Sequence, residues 1–152
     1  MNYPILIVTY NRPQRLESFL EKFSNSKRQI YIGVDKYVKN RDLGEKYLKK
    51  YKKIQENYLS EDNVIFIYSE KHLGGKYSTP YFTSKVFELT EKLIIMDDDL
   101  IFNNDFLDYC DFCLDYFEND KNIYSIEGFN PFANNDVESY IFLTNYTLQL
   151  GW

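Results

Sequence analysis

The chain has 152 residues, enough for one domain with a hydrophobic core. Its formal net charge of −5 argues against general nucleic-acid binding, which requires a basic surface. No apolar run reaches the length of a transmembrane helix, and the first residues lack the basic start and long apolar region of a signal peptide. We therefore expect a cytoplasmic protein with no transmembrane segment and no nucleic-acid partner.

Four short apolar runs alternate with helical segments. The runs are rich in β-branched and aromatic residues, as expected for strands buried on both faces: YPILIVTY, RQIYIGVD, DNVIFIYS and EKLIIMDD. Helical periodicity covers Pro13 to Phe23 and Asn40 to Tyr58. Thr79-Pro80 predicts the start of a third helix, with a buried face formed by Phe82, Val86 and Leu89. This alternation predicts an α/β fold, a single Rossmann-like domain over residues 1–152 with a mostly parallel sheet flanked by helices.

The two cysteines, Cys110 and Cys113, are predicted to lie in the core. With Phe106 and Phe117 they recur at spacings of four, three and four, which indicates one apolar stripe of a helix. A zinc site would need two further ligands, and a redox pair would need electropositive surroundings.

Charge is also segregated: basic residues dominate from Lys36 to Lys53, and nine carboxylates lie between Asp97 and Asp120. We interpret these blocks as mostly solvated helix faces.

The exception is the triplet Asp97-Asp98-Asp99, which follows the apolar run Leu93 to Met96 at the end of a predicted strand. Open parallel sheets bind ligands beyond the carboxyl ends of their strands. The other polar residues expected at that edge are Thr9, Tyr10, Asn11, Arg12, Asp35, His72, Gly74, Gly75 and Lys76. Carboxylates opposite Arg12 and Lys76 suit a hard divalent cation that bridges to phosphate oxygens.

If the strand continues through the triplet, its pleat would place Asp97 and Asp99 on one side and Asp98 on the other. A purely structural interpretation is a surface turn with an Asp capping the next helix. Because Asn103 or Asn104 is expected to supply that cap, capping does not explain the presence of three Asp residues.

Six segments of the sequence resemble, in their order and approximate spacing, motifs of the GT-A fold glycosyltransferases. The segments are ILIVTYNR, GVDKY, EKHLGGKY, DDDLIFNNDFLDYC, IEGFNPF and LTNYTLQLGW. The resemblance is to family 2 broadly, and in detail to the eukaryotic N-acetylglucosaminyltransferase I type. It implies metal-dependent transfer of a sugar from a nucleotide diphosphate donor, a UDP-sugar, to a saccharide or other hydroxyl acceptor, with inversion.

The resemblance also implies site residues. Asp99 would be the direct ligand of Mn²⁺ or Mg²⁺, Asp98 would contact the ribose, and Asp97 would face the donor sugar or a metal-bound water. Asp35 would read the uracil edge. Residues around the nucleotide would be Val8, Thr9, Tyr10, Arg12, His72 and Lys76. Asp97 stands where the resembled family has Glu, and Tyr10 and Asn11 also depart from its pattern.

No catalytic residue is assigned in this chain. In the resembled family the base that deprotonates the acceptor lies beyond the LGW element, and Glu127 has nothing to place it at an acceptor. We therefore expect the donor-binding half of a longer, truncated glycosyltransferase that is poorly active or inactive alone.

Three alternatives stay open. A non-catalytic nucleotide-sugar-binding or partner-interaction module would share the same residues. An Asp-dependent phosphatase would also place Asp-x-Asp after an apolar strand, although it needs a second acidic pair downstream that we do not find. A sugar-nucleotidyltransferase would need a glycine-rich loop after the first strand, where this chain has TYNRPQR.

Overall fold

In the part of the chain that the structure describes, each strand is followed by a helix. The computed structural model describes residues 2–23, 26–58, 62–103 and 105–128, and no helix in these ranges is long and apolar enough to cross a membrane. The elements are β1 (Ile5–Thr9), α1 (Pro13–Glu21), β2 (Ile30–Val34), α2 (Arg41–Asn57), β3 (Val64–Tyr68), α3 (Gly75–Phe87), β4 (Ile94–Asp97) and α4 (Phe106–Tyr116). The four strands form one parallel sheet in the order β3-β2-β1-β4. The predicted Rossmann-like α/β fold is confirmed.

The central strands are buried because helices cover both faces of the sheet. Ile5 and Ile7 of β1 pack in the core shared with α1, α2 and α4, whereas Leu6 and Val8 pack against α3. All residues of β1 and β2 are buried, as predicted. The prediction is wrong for β3, which is only partly buried. It lies at one edge of the sheet, so it has a neighbouring strand on one side only.

Helix α3 begins earlier than the sequence predicts. It starts at Gly75, and Thr79-Pro80 lies inside it. The Gly74 carbonyl accepts hydrogen bonds from the backbone N–H groups of Tyr77 and Ser78, which form the first turn. Pro80 is tolerated there at the loss of one intrahelical hydrogen bond. Leu89, predicted to be buried, is 65% exposed because the helix ends at Phe87.

Helix α4 carries the two cysteines on its inner side, and both are buried free thiols, as predicted. Burial raises the pKa of Cys110 to about 12, which makes its thiolate inaccessible at neutral pH. The residue that caps α4 is Asp105, and its side chain makes no capping hydrogen bond, so the expected Asn103 cap is wrong. Asn104 lies outside the described residues.

One carboxylate of the acidic block is not a solvated charge. Asp111 on α4 is buried and pairs with the buried Arg28 through two bonds, of 2.7 and 2.8 Å. The Arg28 guanidinium also donates to the Tyr3 carbonyl at 2.6 Å. This pair ties α4 to the N-terminal side of the sheet, away from the Asp triplet.

Two of the motifs that resemble glycosyltransferases cannot be placed: LTNYTLQLGW and the last four residues of IEGFNPF lie outside the described residues.

Candidate functional site

The carboxyl ends of three strands meet at one edge of the sheet. Val8 of β1 is in register with Gly33 of β2 on one side and with Asp97 of β4 on the other. The residues that follow these positions are therefore neighbours in space. They are Thr9 to Arg12 after β1, Asp35 after β2 and Asp98 and Asp99 after β4.

A chain of hydrogen bonds with a defined direction joins the loop after β1 to Asp98. The Thr9 hydroxyl donates to Asp98 Oδ2 at 2.6 Å, and it lies 2.8 Å from the hydroxyl of Tyr51 on α2. Because Thr9 has one hydroxyl hydrogen and gives it to Asp98, Tyr51 must donate to Thr9. Tyr51 in turn accepts from the backbone N–H of Arg12 at 3.1 Å. Every donor in this chain points toward the carboxylate.

Asp98 is enclosed by the protein. Its side chain is 0% exposed, and its second oxygen, Oδ1, lies 2.6 Å from Arg12 Nη2. That contact is an ion pair without hydrogen-bond geometry, since Oδ1 has no hydrogen-bond partner among the described residues. The pKa of Asp98 is raised because burial outweighs the hydrogen bond from Thr9 and the attraction of Arg12.

The other two members of the triplet face outward. Asp97 and Asp99 are exposed and Asp98 between them is buried. Because β4 ends at Asp97, this pattern arises in the turn that follows the strand and not from the predicted pleat. Asp99 Oδ2 lies 2.5 Å from Arg12 Nη1 and 3.6 Å from Arg15 Nη1. The pKa of Asp97 is raised, first because its carboxyl is partly removed from solvent by the surrounding protein and then by the negative charge of Asp99, with Arg12 acting in the opposite direction. The two outward carboxylates are therefore electrostatic neighbours.

Asp97 and Asp99 are the exposed carboxylates at this edge that are available as ligands of a cation. Within the described residues, no three His, Cys, Asp or Glu side chains converge to form a ligand set. The site is therefore unlike an all-protein cage for Ca²⁺ or Zn²⁺. Mg²⁺ and similar ions in nucleotide sites are held by one or two carboxylates, with water and phosphate oxygens as the other ligands. Asp99 and Asp97 supply hard oxygen ligands of that type.

Asp35 fastens the loop between β3 and α3 to the end of β2. It is 2% exposed. Its Oδ1 accepts hydrogen bonds from the Ser69 hydroxyl at 3.0 Å and the Leu73 N–H at 2.9 Å. Its Oδ2 accepts from the Gly74 N–H at 2.9 Å and lies 3.0 Å from His72 Nδ1. Its role in reading a uracil base stays a prediction.

Aromatic rings form the other side of this edge. The ring of Tyr10 stacks on His72 with centroids 5.0 Å apart, and it lies 5.2 Å from the ring of Tyr37. Val8 is buried near the end of β1, two residues before Tyr10. Lys76, in the first turn of α3, has its ammonium group 5.2 Å from the ring centre of Tyr77 and makes no ion pair with a described carboxylate. Val8, Tyr10 and His72 are thus brought to the site edge, and Lys76 is not joined to the Asp triplet.

Tyr51 and Tyr37 are among the residues at this edge that were not predicted. Tyr51 belongs to the inward stripe of α2, with Tyr47, Ile54 and Tyr58, and a tyrosine in such a stripe indicates core packing. Tyr37 lies in the quoted GVDKY motif without an assigned role. Its position two residues after Asp35, at a strand end, was the available signal.

The fold is thus a four-stranded parallel Rossmann-like sheet that brings Arg12, Asp35 and the Asp triplet to one edge. No protein-family model matches the chain, and no curated protein is significantly similar to it.

Proposed function

We propose that the protein binds a nucleotide diphosphate sugar, with uridine diphosphate as the nucleotide, and that it is a metal-dependent glycosyltransferase of the GT-A type. The single observation that carries the proposal is the convergence of two exposed carboxylates with Arg12 at the carboxyl end of a parallel sheet. Adjacent negative and positive groups of this kind suit a ligand that contains both a cation and phosphate oxygens.

Asp99 and Asp97 would hold Mn²⁺ or Mg²⁺ together with the diphosphate. The cation supplies charge stabilisation of the leaving diphosphate. Arg12 reaches the same region and is restrained by Tyr51 through its backbone and by Asp98 through its side chain. We therefore assign Arg12 to the phosphates.

Asp98 has a positioning role in this proposal, because its Oδ2 accepts a hydrogen bond from Thr9 and its buried Oδ1 forms the ion pair with Arg12. A contact with the ribose, which the family resemblance implies, would require this carboxylate to turn away from Thr9. The nucleoside would lie on the opposite side of the edge, near the rings of Tyr10 and His72. Asp35 supports that side by holding the loop that carries His72.

Transfer to an acceptor also needs a base that deprotonates its hydroxyl. We assign no such base among the described residues. Near the end of the described residues, the backbone carbonyl of Glu127 accepts a bond of 3.4 Å from the Tyr109 hydroxyl. That contact fixes the backbone of Glu127 beside α4 and does not orient its carboxylate toward Asp99.

Calorimetric titration of uridine diphosphate with Mn²⁺ present tests the proposal. Asp99→Asn should weaken binding at least tenfold, because it removes a charged metal ligand. Asp108→Asn is the matched control, since Asp108 is an exposed carboxylate of α4 and the charge change is the same. Equal affinities for wild type and Asp99→Asn would overturn the proposal.

Two further assays separate the alternatives. Metal-dependent hydrolysis of p-nitrophenyl phosphate that is lost in Asp97→Asn would favour the phosphatase. Tight binding of uridine diphosphate without transfer or hydrolysis of any UDP-sugar would favour the non-catalytic module.

A further inference from the structure

Four lysines form a basic stripe along one side of α2. Lys46, Lys49, Lys50 and Lys53 follow the spacing three, one and three, so they lie within an arc of about 100° on a helix with about 3.6 residues per turn. The stripe is about 10 Å long at 1.5 Å per residue. Lys46, Lys49 and Lys53 are exposed and Lys50 is partly exposed.

The lysines of the stripe are not held in ion pairs by the acidic residues of α2. Glu45, which stands four residues before Lys49 at the border of the stripe, pairs with Arg41 instead. The four stripe lysines make no ion pair with any other described residue. Asp42 and Glu56 are the acidic residues on this side: Asp42 stands in the first turn, where the helix dipole favours a negative charge, and Glu56 stands three residues after Lys53, near the end of the helix.

We propose that this stripe binds the surface of a membrane that contains anionic lipids. Leu43 lies on the same side of α2, one turn before Lys46, and is 39% exposed. Val38, in the segment just before the helix, is 53% exposed. Lysines beside exposed aliphatic side chains suit an interface of charged headgroups above acyl chains.

The same helix is poorly suited to nucleic acid. The tyrosines of α2, Tyr47 and Tyr51, and the following Tyr58 pack against the core, so none of these rings is free on the basic side to stack on a base. The distribution of charge also sets an orientation. The stripe belongs to the helix that joins β2 to β3, at one end of the sheet, whereas acidic α4 follows β4 at the other end. A bilayer on the α2 side would meet the basic end of an otherwise acidic protein.

Co-sedimentation with lipid vesicles tests this proposal. The wild-type chain should bind vesicles that contain phosphatidylserine and should not bind vesicles of phosphatidylcholine alone. Binding should weaken as salt is added, since headgroup charges are screened. Each lysine near an anionic surface contributes about a factor of five in affinity. The variant Lys46→Gln/Lys50→Gln/Lys53→Gln should therefore bind about a hundredfold more weakly.

The matched control is Lys27→Gln/Lys52→Gln/Lys121→Gln, which removes the same net charge from exposed positions outside the stripe. It should keep most of the affinity for vesicles. Circular dichroism melts show whether each variant is folded, and Lys46→Gln/Lys50→Gln replaces the triple variant if that one is not. Equal losses in stripe and control variants, or no binding to phosphatidylserine vesicles, would overturn the proposal. Equally tight binding to a DNA duplex would overturn the assignment to lipid.

Discussion

The Thr9 hydroxyl donates a hydrogen bond of 2.6 Å to the buried carboxylate of Asp98, which lies 89 residues further along the chain. This bond links the end of β1 to the turn after β4. It also fixes the direction of the next hydrogen bond, because Thr9 must then accept a hydrogen bond from Tyr51. The Tyr51 hydroxyl in turn accepts one from the Arg12 backbone N–H. A single buried carboxylate thereby sets the position of the loop that carries Arg12.

Thr9→Val should be more destabilising than Tyr51→Phe. Valine matches the shape of threonine but leaves Asp98 Oδ2 buried without its donor, at a cost of about 1–3 kcal/mol. Tyr51→Phe leaves the bond from Thr9 to Asp98 in place and removes the acceptor of the Arg12 N–H, which is a neutral, part-buried group, so about 1 kcal/mol is expected. Urea unfolding measures both free energies. A Tyr51→Phe variant less stable than Thr9→Val would contradict the direction assigned to the chain.

Asp97→Asn should stabilise the protein at neutral pH in the absence of ligand. The pKa of Asp97 in the folded protein is raised above its ordinary value of 3.8, so the folded state binds more protons than the unfolded state just above pH 3.8. The free energy of unfolding therefore falls as the pH rises through the folded pKa, and the loss is complete above it. Asparagine removes this loss.

Thermal melts of Asp97→Asn and wild type across the acid range measure the effect. A small gain in melting temperature should be present at pH 7 and should disappear below pH 3.8. Asp108→Asn controls for the general loss of one negative charge. The same gain at every pH would show that Asp97 does not titrate as described.

Asp111→Asn should be strongly destabilising, although Asp111 belongs to the acidic block from Asp97 to Asp120, whose sequence indicates a mostly solvated surface. It leaves the buried Arg28 guanidinium without its charged partner. Removal of one partner from a buried pair costs about 3–5 kcal/mol. Asp108→Asn, one turn earlier on the exposed side, should change the free energy of unfolding by less than about 0.5 kcal/mol. Chemical denaturation compares the two, and similar values would argue against the buried pair.

Much of the fold could be predicted because the runs around Ile5, Ile30 and Ile94 are continuously apolar, which indicates strands covered on both faces. The start of α3 could not. Thr79-Pro80 has the local pattern of a helix start, whereas the actual start depends on Gly74, whose N–H is held by Asp35 from 39 residues away. Such a contact exists only after β2 and β3 have paired.

Some residues of the candidate site could be predicted from the sequence, and others could not. Arg12 and the Asp triplet are visible because charges at strand ends are unusual. Tyr51 could not be assigned to the site from the sequence, because its ring packs in the core while its hydroxyl forms a hydrogen bond with Thr9 at the site. Its partners, Thr9 and Arg12, become neighbours only when α2 packs beside the end of β1.

Thermal melts of the wild-type chain with Mn²⁺, with uridine diphosphate, with both and with neither test the central claim most directly. A ligand that binds only the folded state stabilises it by about 2.7 kcal/mol at 100 times its dissociation constant. This stabilisation corresponds to a rise of about 5 to 10 °C for a domain of this size. If Asp99 and Asp97 hold the cation against the diphosphate, each ligand strengthens the other. The shift with both should then exceed the sum of the separate shifts, and Asp99→Asn should remove the excess. Purely additive shifts in the wild-type chain would contradict a shared site at the Asp triplet.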